Sequence, residues 1–179
     1  AVGEKLIPID TGNKGETAEK LLMDETMEKR EFEIYFQPKI SLHNYKIVGA
    51  EALVRWRRPD GIVVRPEHFL PFYEKNGKIV ELDFYVFEQV AVFLEKTKRS
   101  GITPVPVSVN VSALHAEDPQ TTRRYLEILE KYKVDPGMLE MELKETDTIR
   151  YENIKDLLRS LQEAGFHTAL DNFGVGSSF

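Results

Sequence analysis

The sequence predicts an α/β fold, a mainly parallel sheet with helices packed outside it. Two observations carry this prediction. From residue 30 onward, stretches with apolar residues at every second position alternate with stretches whose apolar residues recur at helical spacing. The two kinds of stretch then follow one another singly, strand then helix, which is the order that parallel crossover units require. A third observation narrows the class: no Gly-x-Gly-x-x-Gly follows the first strand, so a dinucleotide-binding fold gains no support.

Residues 1–15 are mixed in character and read as a linker; 16–29 reads as a helix with Ala18, Leu21 and Leu22 on one side. These 29 residues are taken as a linker and N-terminal helix, and 30–179 as one domain. Glu33-Ile34-Tyr35-Phe36-Gln37 reads as the first strand. Residues 47–56 alternate strictly, with Val48, Ala50, Ala52 and Val54 on one face and Gly49, Glu51, Leu53 and Arg55 on the other. Asn44-Tyr45 between them predicts a hairpin. A helical region follows Pro66 and breaks at Gly77. The next helix carries Phe87, Val90, Ala91 and Leu94 on one stripe and stops at Lys98, Arg99 and Gly101, cations and a glycine suiting a helix C-terminus.

Val105, Val107, Val109 and Val111 mark a third strand. Asp118-Pro119 opens a helix with proline in its first turn, and Tyr125, Ile128, Leu129 and Tyr132 form its stripe. In the fourth strand Leu139, Met141 and Leu143 oppose Glu140, Glu142 and Lys144. A helix with Ile154, Leu157, Leu158 and Leu161 closes at Gly165, and a fifth strand runs from about His167 to Asp171.

Composition bounds the chemistry. A chain of 179 residues that is 41% hydrophobic supports a packed core. Thirty acidic residues against 24 basic ones give a net charge of -6, which disfavours binding to a nucleic-acid polymer or an anionic membrane. With no cysteine, disulfides, thiolate metal sites and cysteine nucleophiles are excluded. The absence of cysteine, of a signal peptide and of a membrane-length apolar run fits a cytoplasmic protein.

The candidate chemistry lies at the strand ends. Glu51 is on the second strand, Asn110 ends the third, Glu142 is near the end of the fourth and Asp171 ends the fifth. Consecutive members of the last three are about 30 residues apart, one strand-helix unit. In a parallel barrel equivalent strand ends converge on one rim, where active sites sit. Three carboxylates and an amide suit a hard dication, Mg²⁺ or Mn²⁺. Acidic residues at strand ends also cap helices or pair with Lys and Arg, and spacing alone leaves that reading open. Arg55, four residues beyond Glu51 on the same face, lies ~13 Å further along the strand, a reach that fits a second phosphate of a long substrate. His43, His68, His115 and His167 are scattered and read as structural or exposed. Ser177-Ser178 lacks a nucleophile-elbow context.

Glu51-Ala52-Leu53-Val54-Arg55-Trp56 resembles the signature of EAL-domain phosphodiesterases. In the same order, Tyr35-Phe36-Gln37-Pro38-Lys39, Phe69-Leu70-Pro71-Phe72-Tyr73-Glu74, Ser108-Val109-Asn110-Val111-Ser112, Glu142-Leu143-Lys144-Glu145 and Asp171-Asn172-Phe173-Gly174 resemble further motifs of that family. The resemblance implies a (β/α)₈ TIM-type barrel with an antiparallel first strand, of which about five strands are present. It implies hydrolysis of cyclic-di-GMP to linear pGpG with two Mg²⁺ or Mn²⁺ ions. Glu51, Asn110, Glu142 and Asp171 then resemble the metal ligands, with Asn172 at a further ligand position. Glu51 and Glu145 resemble catalytic residues, and Gln37 and Arg55 substrate contacts.

Three departures qualify the match. Asn172 puts a neutral amide where the family has a carboxylate, so a second metal is expected to bind more weakly. Lys144 stands where the family usually has Thr. A full barrel takes ~250 residues and about 150 follow Arg30, so a truncated EAL domain, inactive by itself, is expected. Its open strand edge calls for a cover, for which a homodimer is the simplest arrangement. A sensor or GGDEF module is the partner the family implies upstream. A cyclic-di-GMP receptor that does not cut, and a purely structural interaction domain, are the competing readings.

Overall fold

In the computed structural model, which describes residues 25–144 and 149–171, the predicted alternation becomes the chain order of the fold. Strands β1 (Phe32–Ile40) and β2 (Ile47–Arg57) come first, followed by a two-residue strand, β3 (Val63–Val64). Helices α1 (Leu70–Lys75) and α2 (Ile79–Arg99) precede β4 (Val107–Val111); α3 (Thr121–Tyr132) leads to β5 (Leu139–Lys144), and α4 (Tyr151–Glu163) to β6 (His167–Asp171). The strand order is β1-β2-β4-β5-β6, with β3 paired to β2 off this path. β1 and β2 form the antiparallel hairpin, closed by Ser41 N donating to Lys46 O at 2.9 Å; β2–β4, β4–β5 and β5–β6 are parallel. Asn44 falls in the turn as expected, where its Oδ1 accepts from Lys46 N, while Tyr45 takes a left-handed φ of 56°. The predicted helix 16–29 lies outside the described residues except for its end, where 25–28 is helical.

The chain divides into two compact units, one of Ala1–Glu33 with Val54–Lys78 and one of Ile34–Leu53 with Ile79–Phe179. The first unit is built on aromatics. Phe69 packs against Phe32 at 5.4 Å and edge-on to Trp56 at 6.2 Å between ring centroids, and Tyr73 stands edge-on to Phe32 at 5.7 Å. Trp56 Nε1 donates to Glu31 Oε2, which satisfies the indole's one polar group. Trp56 is therefore a packing residue.

The second unit holds the main core. Ala50, Ala52, Val107, Val109, Leu139, Met141 and Leu143 are buried on one sheet face, where Phe87, Val90, Ala91 and Leu94 of α2 join the same core. Each large aliphatic side chain fully buried here contributes roughly 1.5–3 kcal/mol. Leu129 of α3 and Leu157 and Leu161 of α4 extend it, and the Tyr125 ring packs tilted against Phe87 with centroids 4.5 Å apart.

Three element boundaries differ from the sequence reading. β4 starts at Val107 rather than Val105, since Pro106 has no N–H to give a ladder; its carbonyl instead accepts from Ala50 N at 3.0 Å. β1 continues through Pro38 to Ile40, which its place at the end of the strand order permits. α3 begins at Thr121, because Asp118 Oδ1 accepts from Gln120 N at 2.9 Å and holds a turn ahead of the helix. Gly77, Gly101 and Gly165 fall where the helices were expected to stop, each at positive φ.

One buried polar cluster fixes the end of β4. Asp83 of α2 accepts from Ser112 N at 2.8 Å and from His115 Nε2 at 3.2 Å. A carboxylate only accepts, so the imidazole proton sits on Nε2, and the Tyr125 hydroxyl lies 3.2 Å from the same atom. His115 is wholly buried, in keeping with a structural histidine. Asp83→Ala takes the acceptor from Ser112 N and leaves His115 Nε2 only the Tyr125 hydroxyl, and is expected to destabilise the protein by about 1–3 kcal/mol, measured as a lower urea midpoint. A change under about 0.5 kcal/mol would count against this account of the β4 terminus.

Candidate functional site

The register of the parallel strands decides which side chains share a face. Glu51 stands opposite Ser108, Asn110 opposite Glu142, and Glu142 opposite Ala169, two residues before Asp171. Partnered residues point the same way, as do residues two apart along a strand. Glu51, Asn110 and Glu142 therefore lie on one face of three neighbouring strands, opposite the face that holds Val109, Met141 and Leu143, and the backbone of Asp171 follows on the next strand. The contact that closes part of this set is direct: Asn110 Nδ2 donates to Glu51 Oε1 at 3.3 Å.

Not every predicted residue is brought in. Glu145 and Asn172 lie outside the described residues, and of Lys144 and Asp171 only the backbone position, one opposite the other, is described. Gln37 is exposed on β1. Arg55 belongs to the first unit, where its Nη1 donates to Val54 O at 2.8 Å. Among the described residues no three acidic or histidine side chains converge as a metal cage. What is described is a pair of carboxylates and an amide.

A residue not singled out from the sequence stands in the middle of this face. Lys39 Nζ donates to Glu140 Oε1 at 2.8 Å and to Glu142 Oε1 at 2.9 Å. Glu142 is the most enclosed of the three, 17% exposed against 41% for Lys39 and 37% for Glu140. Partial burial opposes the Lys39 charge, but the hydrogen bonds and charges of Glu140 and Glu142 outweigh it and raise the ammonium above its usual range. The hydrogen bond from Lys39 in turn holds Glu140 below the usual carboxylate range, against the opposing effect of burial. Lys39 and Glu140 are thus both held in their charged forms. Alternation in β1 does place Lys39 on the face of Gln37; its partners, on a strand about 100 residues later, come only from the assembled sheet.

Ser108, buried opposite Glu51, has a hydroxyl oxygen with no hydrogen-bond partner among the described residues. Buried polar atoms in native proteins are nearly always satisfied, by protein, water or an ion. This face thus offers one orphaned oxygen beside the Glu51–Asn110 pair.

Comparison with known proteins bears on what such a face is for. The model of the EAL domain matches residues 21–178. The chain belongs to the EAL family. It is 32% identical over 148 residues to the cyclic di-GMP phosphodiesterase PA2567 of Pseudomonas aeruginosa, covering 82% of this chain and 25% of that protein. It is 30% identical over 161 residues to the signaling protein YkoW of Bacillus subtilis, covering 89% of this chain and 20% of that one. Among solved structures it resembles the PaMucR phosphodiesterase in complex with c-di-GMP, with a TM-score of 0.80 and 26% identity over 90% of this chain and 66% of that chain. The FimX EAL domain from Pseudomonas aeruginosa bound to c-di-GMP shares the fold, with a TM-score of 0.77 at 23% identity over 89% of this chain and 64% of that one. The chain spans a quarter or less of the length of these two curated relatives. An antiparallel first pair followed by parallel strands is the EAL-barrel arrangement that the motif resemblance implied. Among the described residues no helix is long and apolar enough to cross a membrane.

Proposed function

We propose that this EAL chain forms part of a cytoplasmic cyclic-di-GMP phosphodiesterase domain, in which Glu51, Asn110, Glu142 and Asp171 hold Mg²⁺ or Mn²⁺. The observation that carries this reading is the shared face: Asn110 touches Glu51 and stands directly opposite Glu142 in register. The donor set fits a hard dication, since every predicted ligand offers oxygen and none offers sulfur or imidazole. The unsatisfied Ser108 oxygen beside it is the kind of atom that a water or ion completes.

When bound, a hard dication neutralises charge at the scissile phosphodiester and assists formation of the attacking nucleophile. The chain's own residues do the rest. Asn110 donates to one oxygen of Glu51, which orients that carboxylate. Gln37 on β1 and Arg55 on β2 are the proposed contacts to the dinucleotide, a guanidinium being suited to gripping a phosphate in two-pronged fashion. Glu145 and Asn172, outside the described residues, complete the proposed set.

A second reading has an observation behind it: a domain that holds cyclic-di-GMP without cutting it. Lys39 already occupies Glu142, and Asn172 withholds a charge. One assay separates the two. Incubation with cyclic-di-GMP and Mn²⁺, followed by calorimetry for binding and chromatography for linear product, is expected to give both signals in a protein containing the whole domain. Binding without product supports the receptor, and neither signal ends both readings.

A further inference from the structure

We propose that Lys39 is a built-in counter-ion that competes with a divalent cation for Glu142, and so sets how much cation the site requires. The inference rests on Glu142 being a cation ligand, as argued above.

The geometry is specific. In the strand order β1 is separated from β5 by β2 and β4, yet the Lys39 ammonium reaches both Glu140 and Glu142 on β5. Its path crosses β2 at Gly49. A Cβ there would meet Lys39 Cδ at 3.7 Å and Cβ at 3.9 Å, and Pro106 O at 3.2 Å. The lysine stem thus packs over a position with no side chain, on the face that also carries Glu51, and any long residue at 49 would stand in its way.

The electrostatics give the arrangement a consequence. Glu140 and Glu142 are two apart on one strand, so they face the same way and repel. A single ammonium neutralises half of that charge. A dication approaching Glu142 meets a carboxylate whose field is already partly cancelled, together with a like charge 2.9 Å from its Oε1. Lys39 therefore stabilises the cation-free face and opposes cation entry. The same residue holds Glu142 in place without occupying both of its oxygens.

The test is Mn²⁺ affinity, read by electron paramagnetic resonance or calorimetry without substrate. Lys39→Met is expected to tighten binding about three- to tenfold, the worth of one partly exposed ion pair. Lys39→Arg keeps the charge and is expected to stay within about twofold of the parent chain. Lys46→Met removes one exposed lysine from the β1–β2 turn, changes net charge equally, and is expected to leave affinity unchanged. Glu51→Gln is expected to weaken binding whether or not Lys39 is present. Should the methionine variant not fold, Lys39→Gln keeps an N–H donor toward Glu140 and predicts the same direction of change. If Lys39→Met and Lys39→Gln bind Mn²⁺ no tighter than the parent while Glu51→Gln still weakens it, the competition is wrong and the cation site stands. If no variant binds Mn²⁺ at all, the inference falls together with the site.

Discussion

Glu51→Gln is expected to lower Mn²⁺ affinity by about 100- to 1,000-fold while leaving the fold intact. The first half follows from charge. A carboxylate 4 Å from a unit charge at an effective dielectric of about 20 is worth roughly 4 kcal/mol, and about twice that from a dication. Desolvation offsets several kcal/mol, leaving a net of about 3–4 kcal/mol, and every 1.4 kcal/mol is tenfold in affinity. The second half follows from the contact it makes. Asn110 Nδ2 donates to Glu51 Oε1, and a glutamine amide oxygen accepts the same hydrogen bond. Thermal unfolding without metal is therefore expected to shift little, by less than about 1 kcal/mol in stability. In a protein with the whole domain, hydrolysis of cyclic-di-GMP should fall with the metal affinity. A variant that binds Mn²⁺ within about threefold of its parent removes Glu51 from the ligand set. A variant that unfolds assigns Glu51 a structural role instead.

How much of this was legible beforehand depended on how local the cause was. Alternation in 47–56 and 139–144 put Ala50 and Ala52, and Met141 and Leu143, on the buried face, and it put Glu51 and Glu142 on the other. That parity, with one candidate residue per strand-helix unit, pointed to a shared rim, while the pairing of Asn110 with Glu142 comes from the register of the sheet. Helix ends were legible too, because Gly77, Gly101 and Gly165 adopt positive φ, a conformation that glycine alone takes freely. Pro106 was misread because valines at 105 and 107 kept the strand period while the missing N–H broke the ladder. Lys39 and Asp83 were missed for a different reason. Each works through a partner far along the chain, Glu142 for one and Ser112 for the other, and no window of sequence contains both halves. The family motifs marked residues by position, and only the sheet showed that a lysine of the first strand neutralises a proposed ligand on a strand about 100 residues later.

Asn172→Asp is expected to tighten Mn²⁺ binding about tenfold, and the reasoning brings the neighbouring charges together. An amide oxygen coordinates a hard cation but contributes no negative charge, and oxygen sites tune their affinity largely by how many charged ligands they hold. A new carboxylate beside Asp171 adds attraction for the dication. It also adds repulsion between adjacent acids when no cation is present, so the gain is smaller than the loss from removing Glu51. The same repulsion gives a second signature: the variant should melt at a lower temperature than its parent in chelator and at a higher one in excess Mn²⁺, since a ligand that binds only the folded state stabilises it in proportion to its affinity. The effect should add to that of Lys39→Met if residue 172 and Glu142 serve separate cations, and should fall short of additivity if they share one. Equal Mn²⁺ affinity for Asn172→Asp and its parent would show that residue 172 does not reach the cation, and the weaker charge of this chain's site would then rest on Lys39 alone.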